Sequence, residues 1–236
     1  MKDWKKLIPD TQLWMNKHYT EGRAGKRPKI VVIHHNAGVL SAKQIYRVWQ
    51  TRPASAHYQV ESSGRIVQLV RRADTAWHAG AWNINLESIG IEISNSGGAA
   101  DGWPIDPRAR KEAAKLVAAI CLFYKLGVPK AGTNVRFHRE FCATACPGQL
   151  APGGKYFESF MRDAAKFYKE FTTPSQVPKH LKPDYSRLAL EQLVGAGRKD
   201  GRPDFTGWKQ LGGHTLVDAV AIIGQTLGIP GFGVDK

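Results

Sequence analysis

Two histidines and a cysteine carry the chemistry most readily read from this chain. Ile33-His34-His35-Asn36 closes one short apolar run and Phe137-His138 closes another, with Thr144-Ala145-Cys146-Pro147-Gly148 in the loop that follows. Zinc takes neutral imidazole and thiolate, and catalytic zinc centres use three protein ligands and keep one position open. His34, His138 and Cys146 could supply such a set. Water in the open position would lose its proton near neutral pH, and the ion would polarise a carbonyl under attack. Neighbours on a strand point to opposite faces, so at most one of His34 and His35 reaches a shared ion. His35 reads as a buried, hydrogen-bonded histidine. Cys142 competes with Cys146 as third ligand. Cys146 precedes Pro147-Gly148, a turn that can fix a thiolate, and Cys142 reads as packed. Cys121 lies beside the apolar stripe of a long helix and reads as core. Taken singly, each of these residues has an ordinary structural reading. Residue types and spacing alone leave the metal site as one of two open possibilities.

The elements that must position these groups follow from pattern. Lys29 to His34 is a β-branched apolar run, hence a buried strand. Ser41-Ala42-Lys43-Gln44 is a capping box that opens a helix through about Trp49. His57 to Glu61 and Arg65 to Val70 flank Ser62-Ser63-Gly64, a hairpin signal. Ser88 to Ile93 is a strand with Ile89, Ile91 and Ile93 on one face. Asp106 caps a long helix with Pro107 in its first turn. Ala113, Leu116, Val117, Ile120 and Tyr124 form its stripe, and Gly127 is expected to close it. Asn134 to His138 is a short strand. Phe157, Phe160, Met161, Ala164 and Tyr168 mark a further amphipathic helix. Strands alternating with helices predict an α/β domain with a mixed central sheet flanked by helices.

Residues 1–170 are expected to form this domain and 171–183, with Pro174, Pro178 and Pro183, a linker. Residues 184–236 hold two short helical patterns. One carries Tyr185, Leu188, Ala189 and Leu193, the other runs from Thr215 to Leu227, and a Gly-rich turn around Phe205 to Trp208 lies between them. So few apolar positions make a small, marginal, mainly helical module.

The 236 residues carry a formal charge of +14, which draws the protein toward polyanions. Residues 171–236 hold 8 basic and 6 acidic side chains, so +12 of the charge lies before them. A nucleic-acid domain would add a basic stripe on one helix or aromatics set among basic residues. Neither is clear, so nucleic acid is not expected as a partner. Three cysteines at unmatched spacing argue against a disulfide scaffold. No apolar stretch follows Lys5-Lys6, so no secretory signal is expected, and no run approaches a membrane span.

Val32-Ile33-His34-His35, Ser55-Ala56-His57-Tyr58, Ala76-Trp77-His78-Ala79-Gly80, Ser88-Ile89-Gly90-Ile91-Glu92 and the stretch from His138 to Cys146-Pro147-Gly148 occur in this order. Together they resemble the amidase-2 family of N-acetylmuramoyl-L-alanine amidases, which includes phage lysins and peptidoglycan recognition proteins. The likeness runs from about Arg27 to Tyr168. It implies His34, His138 and Cys146 as zinc ligands and Tyr58 as a catalytic phenol donating to a developing oxyanion. It implies Glu92 as general base, Thr144 as a weaker contact to the oxyanion, and Trp77 and His78 as lining of the substrate cleft. The implied reaction is zinc-dependent hydrolysis of the amide between N-acetylmuramic acid and L-alanine in bacterial peptidoglycan. The implied setting is a phage endolysin, held as a monomer in the host cytoplasm until it is released to the wall at lysis. Anionic wall polymers are a possible further partner. The tail, with Trp208 as a candidate contact, is similar to C-terminal segments of endolysins from phages of actinobacteria and would bind the wall. The rival readings are a metal-free muropeptide binder, a zinc peptidase cutting within the stem peptide, and a nucleic-acid binder.

Overall fold

The computed structural model describes residues 2–173 of the chain. The expected linker beyond Thr173, the two helical patterns and the C-terminal module lie outside the described residues.

Six strands form the main sheet, in the order β1-β5-β4-β7-β3-β8. They are β1 (Thr11–Gln12), β3 (Ile30–His35), β4 (Tyr58–Val60), β5 (Ile66–Gln68), β7 (Ser88–Ile93) and β8 (Val135–Phe137). β3 runs parallel to β7 and β8, and β4 parallel to β7. Only β4 and β5, joined across Ser62-Ser63-Gly64, pair as an antiparallel hairpin. β2 (Tyr19–Thr20) and β6 (Thr75–Ala76) make a separate antiparallel ribbon. The sheet is therefore mixed and mostly parallel, as the alternation of elements predicts. The continuous apolar run of β3 fits its place between two parallel neighbours, where both strand faces are covered.

Helix α1 (Ala42–Thr51) begins at the expected capping box, with Ser41 and Gln44 bonded reciprocally. A short α2 (Trp82–Leu86) precedes β7. Helix α3 (Pro107–Phe123) is capped by the Asp106 carboxylate, which accepts from the Arg108 amide. It ends earlier than Gly127 suggests. Lys125 takes the left-handed conformation at φ 57°, the Leu126 amide donates to Cys121 O and the Lys125 amide to Leu122 O. These bonds satisfy the last carbonyls without a glycine.

Helix α4 (Phe157–Thr172) packs on α3 through Phe160, Ala164 and Phe167. It also corrects the linker boundary at residue 171. Phe171 is still helical and stacks on Trp4 at 5.9 Å and on Phe167 at 6.3 Å. An aromatic ring with apolar partners on both sides holds the last turn to the domain.

The core lies between the sheet and the pair α3 and α4. Ile33, Tyr58, Ile89, Ile91, Ile93 and Phe137 are fully buried there. Each such side chain contributes roughly 1.5–3 kcal/mol of transfer free energy. A second, smaller core under α1 joins Ile45 and Trp49 to Val67, Leu69 and Ala76. Strand parity divides the two. Odd residues of β7 face α3, and even residues face the other way.

Candidate metal centre

In register across three adjacent strands lie His34 of β3, Glu92 of β7 and Gln59 of β4. This row is on the face turned away from α3. His138 begins the 3-10 turn that follows β8 directly, and Cys146 sits in the loop beyond it. The parallel pairing of β3 with β8 thus brings residues 104 positions apart to one end of the sheet. One ligand atom from each of His34, His138 and Cys146 lies within 4.8 Å of the others. The rings of His34 and His138 are 4.3 Å apart between centroids. Cys146 Sγ stands 3.8 Å from His34 Nδ1 and accepts the His35 amide proton at 3.3 Å.

The donor chemistry fits a divalent cation of zinc type. His34 is 1% exposed, and burial with the neighbouring histidines holds its pKa well below the ordinary value. Burial also lowers His138. Both imidazoles are therefore neutral at physiological pH and have lone pairs to give. Burial pushes the Cys146 thiol up. A cation held here would reverse that effect by taking the place of the thiol proton, and the His35 amide would stabilise the thiolate.

Behind His34 the proton directions are fixed by a chain of bonds. The Ser88 hydroxyl can only donate to Ile84 O, at 2.5 Å, so it accepts from His78 Nε2 at 3.0 Å. His78 Nδ1 is then a bare acceptor and takes the proton of His34 Nε2 at 3.0 Å. His34 Nδ1 is left unprotonated and turned toward Cys146. This is the tautomer a ligand needs, set by its outer partner. Gly90 makes room for the relay, since a Cβ there would lie 2.7 Å from the His78 ring.

Glu92 is half-buried, and burial raises its pKa to about 7. Asn36 Nδ2 donates to its Oε2 at 2.8 Å and also to Gln59 Oε1 at 3.1 Å. Gln59 in turn donates to Asn36 Oδ1 at 2.7 Å. Thr144 Oγ1 accepts the Cys146 amide at 3.2 Å, which shapes the loop and leaves its own hydroxyl proton free.

Three of the residues assigned from the sequence occupy other roles. Tyr58 is 0% exposed and lies among Ile33, Ile91 and α3, on the sheet face opposite His34. Among the described residues its hydroxyl meets only Arg72 Nη1, at 3.4 Å, and burial lifts its pKa to about 12. Strand parity puts it in the core, so it cannot present its phenol to a substrate at His34. His78 is not cleft lining, because it is 8% exposed with both ring nitrogens engaged. Trp77 gives its indole proton to Thr20 Oγ1 at 3.0 Å and lies 5.9 Å from the His18 ring. Its described contacts tie it to the β2–β6 ribbon and not to the His34 group.

Further residues border the site, among them Cys142, which the sequence offers as a rival third ligand. Cys142 is outside the three-residue group but sits 3.1 Å from His138 Nε2 and packs on Gly80. Its spacing of four from both His138 and Cys146 was the available signal. Asn36, two residues after His34, shares its face by strand parity. His35 points the other way, bonded to Asn95 Nδ2 at 3.3 Å, as its parity predicts. His57 is buried beside Arg23, accepts the Gly90 amide at 3.0 Å, and has its pKa pushed down to about 3.

Comparison with known proteins places the chain in a family. The family described as N-acetylmuramoyl-L-alanine amidase matches residues 24–149. A second family, described as Rv3766 C-terminal domain, matches residues 189–229. Endolysin LysK of Staphylococcus phage K is 31% identical over 141 residues, which are 55% of this chain and 28% of the relative. Endolysin PlyTW of Staphylococcus phage Twort is 28% identical over 141 residues, with 56% of this chain and 28% of the relative covered. The chain thus spans little more than a quarter of these relatives' length. The structure of Staphylococcus aureus hydrolase AmiA in complex with its ligand shares the fold, with TM-score 0.52 at 17% identity over 68% of this chain and 84% of that one. Among the described residues no helix is long and apolar enough to cross a membrane. With its family match spanning more than half its length and covering His34, His138 and Cys146, the chain belongs to the N-acetylmuramoyl-L-alanine amidase family.

Proposed function

We propose that this protein hydrolyses the amide joining N-acetylmuramic acid to L-alanine in bacterial peptidoglycan, with zinc as its metal, and that it serves as a phage endolysin. The observation that carries this reading is the convergence of His34, His138 and Cys146 within 4.8 Å. The family match and the two endolysin relatives supply the substrate class.

His34, His138 and Cys146 would hold the ion. Bound there, zinc would polarise the scissile carbonyl and lower the pKa of a water. Glu92 is the proton carrier of this scheme. A carboxyl poised near neutrality can take a proton from the attacking water and return it to the departing amine. Asn36 and Gln59 hold that carboxyl in line with His34. The Thr144 hydroxyl, already anchored to the Cys146 amide, has a proton to offer the oxyanion. Tyr58 takes no part. Residues 184–236, with their separate family match, would form a wall-binding module.

Mass spectrometry of purified wall digested with and without a chelator tests this reading. An amidase exposes new L-alanine amino termini and leaves muramic acid intact. Cuts within the stem peptide, or cleavage indifferent to metal removal, would sink it.

A further inference from the structure

On the far side of the sheet from His34, a cavity of about 730 Å³ opens beside the C-terminal end of α3. Among the described residues its wall holds five cationic side chains, Arg23, Lys26, Arg27, Arg71 and Arg72, and no acidic residue. Asp74 and Glu87 stand near this wall with other partners of their own. Asp74, beside Arg23, accepts the Gly22 amide at 2.9 Å. Glu87 bonds Lys29 at 2.8 Å and reaches Lys26 only at 3.9 Å. Arg23 is largely consumed in structure, since it donates to Arg72 O, Leu86 O and Ser88 O. It still fixes a positive charge in the wall.

The remaining cations are arranged as donors. The Arg71 guanidinium lies 4.9 Å over the Trp14 ring, and that of Arg72 lies 4.9 Å over Phe123. Arg72 also gives one N–H to Leu7 O at 2.7 Å. An aromatic ring beneath a guanidinium holds its plane while leaving edge N–H groups for an anion. Arg27 and Arg71 are exposed. The volume lies in the range of ligand sites and exceeds what one small anion fills.

We propose that this cavity binds a polyol phosphate chain, the phosphodiester polymer class of bacterial walls. Several cations around an open-sided space match phosphates repeated along a flexible chain. Of the three rings in the wall, Trp14 and Phe123 are each covered on one face by a guanidinium, and Tyr124 is packed against the core and edge-on to Phe123 at 5.1 Å. This favours a phosphate polymer without bases over a nucleic acid, whose single strands need free aromatic faces. The wall as source rests on the proposed function, but the anion site itself does not.

The test titrates the full chain with a short poly(glycerol phosphate). It compares wild type with the double variant Arg27→Glu, Arg71→Glu and with Arg162→Glu, Lys166→Glu on exposed positions of α4, which removes the same charge. The cavity variant should weaken binding about tenfold or more, and the α4 variant by about twofold or less. An oligodeoxynucleotide of equal charge should bind at least about tenfold more weakly than the polyol phosphate. Cleavage of a small soluble muropeptide should be unchanged in both variants, so failure of the amidase reading registers separately from failure here. Equal losses in the two variants would assign binding to the overall field and overturn the proposal. So would wild-type affinity in the cavity variant, or equal affinity for the oligonucleotide.

Discussion

On β7, Ile89, Ile91 and Ile93 turn toward α3 and are wholly buried, while Ser88, Gly90 and Glu92 between them turn toward the histidines. The same division runs through β4. Tyr58 and Val60 belong to the core, and Gln59 belongs to the network around Glu92. One face of the sheet is held by apolar packing against α3 and α4, and the other carries, beside the smaller core under α1, two hydrogen-bond networks, Ser88–His78–His34 and Glu92–Asn36–Gln59. No buried side-chain nitrogen or oxygen among the described residues is left without a partner. The comparison teaches that a one-residue step along a strand separates cohesion from chemistry. Substitutions on the two faces should therefore fail in different ways, one through stability and the other through metal and rate.

The largest effect belongs to the proposed metal ligands. Cys146→Ala should abolish tight zinc binding and lower hydrolysis by at least about a thousandfold, since the ion supplies several kcal/mol of charge stabilisation. Elemental analysis of the purified variant, paired with a rate on soluble muropeptide, checks both. Full activity in a zinc-free variant would break the division at once.

Next comes Glu92→Gln, expected to cost about 10²–10⁴ in rate at unchanged zinc content. It should also make the metal-free fold more stable. Glu92 has a folded pKa raised from 4.5 to about 7. Between those values the folded state keeps a proton that the unfolded chain has lost. Stability therefore falls as pH rises through this window, and above about pH 7 the penalty reaches on the order of 3 kcal/mol. Glutamine removes it. Urea melts of metal-free wild type and variant should coincide near pH 4.5 and diverge by pH 8, with the variant the more stable.

Much of this was legible in the sequence, and the misses have physical causes. The β-branched run before His34, the Ser41 capping box, the Asp106-Pro107 helix start and the alternation of β7 all follow from local rules, and each is where those rules put it. Residue types and spacing alone left His34, His138 and Cys146 open as ligands; the ordered motifs single them out, and the fold brings one ligand atom from each within 4.8 Å of the others. Tyr58 was misplaced although the rule that placed His34 and His35 on opposite faces applied equally to His57 and Tyr58. The likeness of the Ser-Ala-His-Tyr motif says nothing of parity, which puts Tyr58 on the core face. His78 and Cys142 were harder. Their roles depend on contacts with residues 44 and 4 positions away, whose approach is set by packing against Gly90 and Gly80. The basic cavity draws its lining from residues 7–28, 68–73 and 123–124, a grouping no local pattern announces.

A smaller effect, and a sharper one, is expected from the relay. His78→Ala leaves His34 Nε2 without its acceptor, so the proton can move to Nδ1 and compete with the metal. Loss of such an outer partner typically costs about 10–100-fold in metal affinity. Gly90→Ala should reproduce part of that loss by displacing the same ring, with His78 itself intact. Chelator competition measures both. Unchanged affinity in the two variants would mean that the bonds to Ser88 and His78 merely fill space.

The smallest expected effect is the most informative about parity. Tyr58→Phe deletes one hydroxyl whose described partner, Arg72 Nη1, stands at a long 3.4 Å and keeps its shorter bond to Leu7 O. Stability should change by about 1 kcal/mol or less. The hydrolysis rate should stay within about threefold of wild type, because the phenol lies across the sheet from His34. An oxyanion donor, by contrast, costs about 10²–10³ in rate when removed. A rate loss of that size at unchanged melting temperature would place Tyr58 at the reacting carbonyl. It would mean that β4 shifts by one residue in the working enzyme, which would at the same time carry Gln59 away from Glu92.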